Sequence, residues 1–251
     1  MHRSMICLVV AICCQAAIVV TSSAQRKPKP PATKQASEPA LPRGKDLTEG
    51  ASQSEKAAQV FGEIMGSDNG ISADFLNKAE CVAVFPSVIK AGFILGGKAG
   101  RGAASCRTKS GWSAPAFFEI KGGSVGFQVG AQATDLVLLF MNTNGLKKLV
   151  NSKLELGADA SIAAGPVGRE AAASTDASMN AEILSYSRSR GAFLGVSLKG
   201  SVVSPDKSDM EDTYGKGITT QRVLTAGKDG APSEVQVFPN KLSQYSSRKA
   251  I

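Results

Sequence analysis

Glycine interrupts the apolar segments of this chain at short intervals from Cys81 onward. Between Gly92 and Arg107, glycine occupies positions 92, 96, 97, 100 and 102. Residues 124–134 alternate apolar side chains with small or polar ones, which is the period of a β-strand with one apolar face. Glycine within strands marks bends or close backbone approach, and a small closed sheet needs both. We therefore expect a Gly-rich, twisted antiparallel sheet that closes into a barrel or a sandwich.

Short helical patterns accompany these strands. Residues 48–65 carry an apolar stripe at helical spacing, and residues 72–79 predict a second short helix with a serine cap. Residues 136–141 form an uninterrupted apolar strand, and a short middle helix is expected over residues 145–151. The predicted fold class is therefore α+β, with N-terminal helices and one short middle helix.

The first 24 residues have the pattern of an export signal. A basic residue precedes an apolar run over residues 5–20, and small residues at positions 22 and 24 fit cleavage after Ala24. We therefore predict a signal peptide over residues 1–24 and an exported protein of the periplasm or cell envelope that can associate with the membrane. An uncleaved membrane anchor and lipoprotein processing at Cys13 or Cys14 are the alternatives.

Residues 25–47 are predicted to form a disordered tether rich in proline and lysine. They contain six basic and two acidic residues and almost no large apolar side chain, so burial cannot offset the entropy cost of ordering them. The whole chain has a formal charge of +8, and much of this charge lies in the tether. This charge indicates a tether near an anionic surface, and nucleic acid is not expected as a partner. One folded domain is expected over residues 48–239, followed by a frayed tail over residues 240–251.

Two of the five cysteines, Cys81 and Cys106, lie outside the predicted signal peptide. An even pair of cysteines in an exported chain is typical of a disulfide in an oxidising compartment. We therefore predict a disulfide between Cys81 and Cys106, with two unpaired thiols as the alternative.

Histidine, which many catalytic constellations need, is found only at His2, within the predicted signal peptide. Without it, the mature chain cannot form Ser-His-Asp or Cys-His nucleophile systems or an HExxH zinc helix. Two cysteines alone cannot hold a structural zinc ion. We expect no catalytic residues, no metal and no cofactor, although acid–base chemistry by Glu, Asp or Lys stays open.

Two segments partly resemble known ligand-binding motifs. Residues 92–98 have the glycine and lysine spacing of a phosphate-binding loop, but Ala99 stands where that loop needs Ser or Thr. The acidic residues between Asp206 and Asp212 lack the spacing and the central glycine of an EF-hand loop. We therefore predict neither a nucleotide site nor a calcium site, and we expect a solvated turn in the acidic segment.

Six blocks of sequence, taken in order, resemble the SYLF domain family. They are residues 84–92, 96–102, 122–132, 135–141, 156–168 and 186–198. The resemblance implies binding of membrane lipids, including phosphoinositides, without catalysis, and fungal members of the family bind actin. This chain is expected to lack the SH3 domain of eukaryotic members. A predicted signal peptide and spacer stand where those members have a membrane-inserting amphipathic segment, and an exported protein is not expected to meet actin.

Basic side chains beside exposed glycine backbone are the predicted headgroup contacts, because together they offer point charges and amide donors to a phosphate. The first group is Lys90, Lys98, Arg101, Arg188 and Arg190, and the further candidates are Lys121, Lys147 and Lys148. For each lysine taken alone, discouraging sheet-to-sheet association is the competing role.

The predicted function is therefore non-catalytic binding of anionic or phosphoinositide-like membrane lipid headgroups by an exported envelope protein. The alternative is a structural or stress-related envelope protein that binds a protein or polymer partner. The residues alone do not separate these two functions.

Overall fold

The computed structural model describes residue 41 and residues 48–68, 70–150, 153–167, 180–189, 192–193 and 197–246. The side chains of residues 48, 92–95 and 124–131 are outside this description, as are the predicted signal peptide and Arg190. The α-helices are α1 (Thr48–Met65), α2 (Ala73–Lys78), α3 (Thr143–Val150), α4 (Lys207–Tyr214), α5 (Thr220–Thr225) and α6 (Val237–Tyr245). The strands are β1 (Cys81–Thr108), β2 (Gly111–Trp112), β3 (Ala116–Phe140), β4 (Leu154–Glu155), β5 (Ile162–Ala164), β6 (Ile183–Ser189), β7 (Ala192–Phe193) and β8 (Val202–Pro205).

The described strands form one curled sheet in the order β2-β1-β3-β6-β5, with β7 paired to β6, β8 to β3 and β4 to β8. This arrangement confirms the prediction of an α+β fold whose sheet curls in the manner of a barrel or sandwich. The sheet departs from the purely antiparallel prediction at one place, because β5 runs parallel to β6.

The centre of the fold is a long hairpin, β1 paired with β3, that bends back on itself. The pairing extends from Cys81 opposite Phe140 to Ala104 opposite Ala116. A side chain on Gly102 would overlap the carbonyl oxygen of Val84, eighteen positions earlier in the same strand. Register shifts between residues 85 and 88 and between 92 and 94 interrupt the hairpin, and such bulges bend strands and increase their twist. The two halves of β1 therefore pack face to face, and only glycine fits at the close approach.

Helices α1 and α6 pack against each other and cover the sheet. Phe61 and Ile64 of α1 are fully buried, as the apolar stripe of residues 48–65 predicts. The Ser54 hydroxyl donates to the carbonyl oxygen of Val235 at 2.5 Å and accepts from the backbone N–H of Phe238 at 3.2 Å. These two bonds tie the start of α6 to the middle of α1.

Three expectations for irregular segments are wrong. The acidic segment expected to be a turn is the helix α4, in which Asp206 is the N-cap and accepts from the backbone N–H of Asp209 at 3.2 Å. The tail expected to fray from residue 240 continues α6 to Tyr245, with Leu242 fully buried. Leu41, assigned to the disordered tether, is buried, and its backbone N–H donates to the Gly230 carbonyl oxygen at 2.7 Å.

The predicted disulfide joins Cys81 and Cys106, with an S–S distance of 2.05 Å and Cα atoms 4.0 Å apart. Both cysteines belong to β1 and are fully buried. They meet because the strand bends back, so the disulfide links its beginning to its end. Among the described residues, no helix is both long enough and apolar enough to cross a membrane.

Candidate functional site

The bend of the hairpin is a two-stranded segment formed by residues 89–98 of β1 and residues 122–133 of β3, which we call the ribbon. Its register extends from Ile89 opposite Ala133 to Lys98 opposite Gly122. Strand β6 pairs with β3 only from residue 135 onward, and β8 pairs only with residues 118–121. Among the described residues, the ribbon therefore has no third strand, and it contains two lysines and no acidic residue.

Lys98 is buried at the base of the ribbon. Its side chain crosses Gly122, where a Cβ atom would lie 3.0 Å from the Lys98 Cε atom and 3.1 Å from the Ser201 hydroxyl oxygen. The Lys98 ammonium donates to the carbonyl oxygen of Ser197 at 2.8 Å. The Ser201 hydroxyl is fully buried and has no hydrogen-bond partner among the residues that the structure describes. A buried ammonium and an unpartnered buried hydroxyl therefore share the same small region.

Lys90 adds a second positive charge to this region. Burial lowers the pKa of Lys98, and the positive charge of Lys90 lowers it further, so the two ammonium groups interact across the bend of β1. Neither lysine forms a salt bridge with a carboxylate among the described residues. We call Lys90, Lys98 and Ser201 the lysine cluster. It is a positively charged region for which the described part of the chain supplies no carboxylate counterion.

The two predicted arginines that the structure describes are paired with acids. The Arg101 Nε atom lies 3.3 Å from Asp206 Oδ2, and its Nη1 atom lies 3.9 Å from Asp209 Oδ1. Arg188 binds Glu63 of α1 and Asp135 of β3, the latter at 3.2 Å, and only 13% of its side chain is exposed. These ion pairs tie strands to helices or to other strands.

The remaining candidates are spread over the surface. The side chain of Lys121 is mostly exposed, and its Nζ atom lies 2.6 Å from Glu119 Oε2. The Nζ atom of Lys148 on α3 lies 2.9 Å from Glu182 Oε2. Lys147 on α3 is exposed. Arg190 lies outside the described residues. The structure thus brings Lys90 and Lys98 together, and Lys121 follows on the neighbouring strand opposite Ala99.

Ser201 was not identified from the sequence, since nothing local distinguishes it from other serines. The acidic residues of α4 were noticed in the sequence, but the burial of Asp209 was not predicted, because a solvated turn was expected there. The Asp209 Oδ2 atom and the Thr213 hydroxyl, one turn apart, are both buried and find no hydrogen-bond partner in the described part of the chain. Burial, followed by the nearby charge of Asp206, raises the pKa of Asp209 to about 6. An Asp with a second acid three residues later is a helix-start pattern that could have indicated α4.

The described residues contain no group of three or more His, Cys, Asp or Glu side chains that could hold a metal ion. Residues 92–98, which imitate a phosphate-binding loop, lie within β1 rather than between a strand and a helix. The fold and the site together define an α+β domain with a bent, Gly-rich hairpin that carries uncompensated positive charge.

Comparison with known proteins places this domain in a family. The family model described as "Ysc84: Las17-binding protein actin regulator" matches residues 121–245. "LAS seventeen-binding protein 3" of Saccharomyces cerevisiae is 34% identical over 184 residues, which are 69% of this chain and 40% of that protein. "SH3 domain-containing YSC84-like protein 1" of Xenopus laevis is 30% identical over 208 residues, which are 80% of this chain and 62% of that protein.

The human protein of the same name is 33% identical over 205 residues, which are 78% of this chain and 59% of that protein. The chain therefore belongs to the Ysc84 (SYLF domain) family, as its sequence blocks predict. It spans 40% to 62% of the length of these three relatives. Gly122 and Ser201 lie within the residues that the family model matches, whereas Lys90 and Lys98 precede them.

Proposed function

We propose that this chain is a non-catalytic protein of the cell envelope that binds anionic membrane lipid headgroups through the lysine cluster. The observation that carries the proposal is the pair of interacting ammonium groups, Lys90 and Lys98, for which the described residues supply no carboxylate partner. Desolvating like charges is unfavourable, and an anion placed between them would relieve both the desolvation and the repulsion. The unpartnered Ser201 hydroxyl supplies a hydrogen-bond donor to the same anion.

The chemistry of the cluster suits a phosphate group. Ammonium groups act as point charges toward phosphate, and charge-assisted hydrogen bonds are stronger than neutral ones. The missing side chain at Gly122 makes room for the Lys98 side chain and for Ser201, and so allows the two to lie side by side. A basic residue near an anionic bilayer contributes only about 1 kcal/mol. We therefore expect weak binding that several basic residues share, with the six in the predicted tether adding to the two in the ribbon.

Export is part of the proposal. The predicted signal peptide over residues 1–24 would place the domain in the periplasm or envelope, and a buried disulfide is in keeping with an oxidising compartment. At that location the domain would face membrane surfaces, and the lipid phosphates would be the anions available to the lysine cluster.

Flotation with vesicles tests this function. The wild-type protein should float with vesicles of phosphatidylcholine and phosphatidylglycerol, and should remain behind with phosphatidylcholine alone. Lys90→Glu changes the local charge by two units and should lower the partition coefficient roughly thirtyfold, from about 2 kcal/mol of lost attraction. Lys98→Met, which keeps the length of the buried side chain without its charge, should act in the same direction. Added salt should weaken wild-type binding, because mobile ions screen exposed charges.

Lys109→Glu is the matched control, since it makes the same charge change at an exposed position in the turn after β1. It should leave binding nearly unchanged. Equal losses in Lys90→Glu and Lys109→Glu would mean that only net charge matters, and would remove the lysine cluster from the assignment. Failure of the wild-type protein to bind anionic vesicles would overturn the function itself.

A second candidate function is binding of a protein or polymer partner in the envelope. It is favoured by the family description and the yeast relative's name, both of which refer to binding Las17. For this chain, these two names favour a partner that is a protein, without saying which protein. This candidate would be favoured if the wild-type protein does not bind anionic vesicles but is isolated from an envelope extract as a defined complex.

A further inference from the structure

The outer face of the ribbon exposes aliphatic side chains to solvent. Ile89 is 55% exposed, more than Val237 at 43% or Tyr245 at 37%, the other exposed large apolar residues in the described parts of the chain. Its cross-strand partner Ala133 is exposed, as is Ala91 two positions further along β1. Paired residues of neighbouring strands, and residues two apart, point to the same face. These three residues therefore form one patch, which we call the aliphatic face.

The two faces of the ribbon differ in chemistry. Lys90 and its partner Gln132 alternate with the residues of the aliphatic face and so lie on the opposite side of the sheet. The backbone register places further apolar residues along the same ribbon, namely Phe93, Ile94 and Leu95 on β1 and Val125, Phe127 and Val129 on β3. The ribbon thus concentrates apolar residues and two lysines in a segment without acidic residues.

This combination fits an anionic bilayer surface better than a protein partner. An exposed apolar patch marks a surface that is covered in function, and the positive charge on the other face of the same two-stranded ribbon is complementary to anionic headgroups. Neither edge of the ribbon pairs with a further described strand, so backbone groups there lie outside the ladders of the sheet, although the Ala133 carbonyl oxygen accepts from the Ser189 hydroxyl. Because hydrocarbon cannot hydrogen-bond to such groups, the ribbon could enter only the headgroup and acyl-chain boundary, roughly 5–10 Å deep.

We infer that the aliphatic face of the ribbon inserts shallowly into the acyl-chain boundary of the membrane while Lys90 and Lys98 remain at headgroup level. This inference rests on the proposed function and adds to it the element that enters the bilayer and its depth. Electrostatic attraction brings the ribbon to the surface, and burial of the aliphatic face slows its departure. Binding should therefore retain a component that high salt does not remove.

Fluorescence quenching by lipids brominated along their acyl chains tests the inference on the full chain. The only tryptophan, Trp112, is 1% exposed and supplies a constant background. Ile89→Trp places a reporter on the aliphatic face, and Val237→Trp places one at an exposed apolar position on α6. With brominated anionic vesicles, the Ile89→Trp variant should be quenched well beyond this background. The Val237→Trp variant should not be.

A charge on the aliphatic face gives a second readout. Ile89→Asp should lower partitioning into anionic vesicles about tenfold and remove the salt-resistant part of binding, whereas Val237→Asp should change neither. Wild-type binding with equal, background-level quenching in both tryptophan variants would overturn insertion and leave the proposed function standing. Absence of wild-type binding to any anionic vesicle would overturn both. The protein could instead form a dimer through the ribbon in the absence of vesicles and show background-level quenching in their presence. That result would mean that the aliphatic face binds a second copy of the chain, and it would also overturn insertion.

Discussion

The backbone N–H of Arg107 donates a 2.7 Å hydrogen bond to the carbonyl oxygen of Glu80. Arg107 lies near the end of β1, and Glu80 lies just before its start. The bond therefore records the closure of one 28-residue strand onto itself, and the disulfide between Cys81 and Cys106 covalently joins the adjoining residues. Closure brings Lys90 and Lys98 to opposite sides of the same bend, so the lysine cluster depends on the fold of the hairpin.

Reduction of the disulfide should destabilise the protein without unfolding it at room temperature. Cys81 and Cys106 are separated by 25 positions, and a cross-link over a loop of this length stabilises by about 3 kcal/mol through the denatured chain. Urea denaturation should show a lower midpoint for the reduced protein and for the Cys81→Ala/Cys106→Ala variant. Mass spectrometry of the unreduced protein should find no free thiol at Cys81 or Cys106. Equal midpoints for oxidised and reduced protein would contradict the expected role of the cross-link.

The side chain of Arg107 should be a major contributor to stability. It stacks on the ring of Trp112 at 3.7 Å and donates to three backbone carbonyl oxygens, those of Ala79, Leu76 and Ser246. Arg107→Ala removes these three buried hydrogen bonds together with the contact to the Trp112 ring, so the free energy of unfolding should fall by roughly 3 kcal/mol. Lys109→Ala, two positions away and exposed, is the control and should shift the urea midpoint little.

Truncation before Ser246 tests the same network from its other end, since the Ser246 carbonyl oxygen also accepts from the Trp112 indole at 2.8 Å. A chain that ends at residue 245 should be less stable by a similar amount. Unchanged stability in both variants would mean that the network around Arg107 does not hold the C-terminal helix in place.

Local sequence signals predicted the elements that local interactions determine. Helix α1 has the predicted bounds, and α2 begins after the predicted cap, whose hydroxyl accepts from the Asp74 N–H. At α3, the Asn142 side chain accepts from the Gly145 N–H at 2.9 Å, as a cap should. Each signal lies within a few residues of its effect, so composition and periodicity suffice to find it.

Contacts between distant residues could not be predicted in this way. The bend of β1 is recognisable only because Gly102 meets Val84 and Phe85 of the same strand, whereas the sequence predicts several separate short strands. Ser197 is 99 positions from Lys98, the ammonium it accepts from. Charge patterns likewise indicated Arg188 as a surface cation, although its partner Glu63 lies 125 positions away on α1. Positive charge is visible in a sequence, but its neutralisation by a distant acid is not.

Stability should fall as the pH rises from about 4 to 6, owing to Asp209. Burial raises the pKa of this carboxyl to about 6 in the folded protein, whereas the ordinary value, which applies to the unfolded chain, is 3.8. In this window the folded state holds a proton that the unfolded state has released, so rising pH favours unfolding. The loss should reach about 2–3 kcal/mol above pH 6. Urea denaturation across the range from pH 4 to 8 measures it.

Asp209→Asn separates this group from others that titrate nearby. The amide has the shape of the protonated carboxyl and carries no charge, so the variant should be more stable than wild type at pH 8 by about 2 kcal/mol and no more stable at pH 4. Asp212→Asn, exposed on the same helix, is the matched control and should follow the wild-type profile. If the stability of Asp209→Asn depended on pH in the same way as that of the wild type, the pH dependence would have to come from other groups.

Arg188 and Lys90 should separate stability from lipid binding. Arg188 binds Asp135 at 3.2 Å, and Asp135 in turn accepts from the Ser87 backbone N–H at 3.0 Å, so the arginine supports the bend as well as the contact with α1. The hydrogen bond from Arg188 lowers the pKa of Glu63, which marks the ionised pair as the favoured state. Arg188→Gln leaves two carboxylates without their cation and should lower the free energy of unfolding by about 2 kcal/mol. Under conditions in which circular dichroism shows that the Arg188→Gln variant is still folded, its flotation with anionic vesicles should match that of the wild type.

Lys90→Gln should give the opposite result, with unchanged stability and weakened flotation, because Lys90 has no carboxylate partner among the described residues to lose. A folded Arg188→Gln variant that fails to float would return Arg188 to the headgroup contacts.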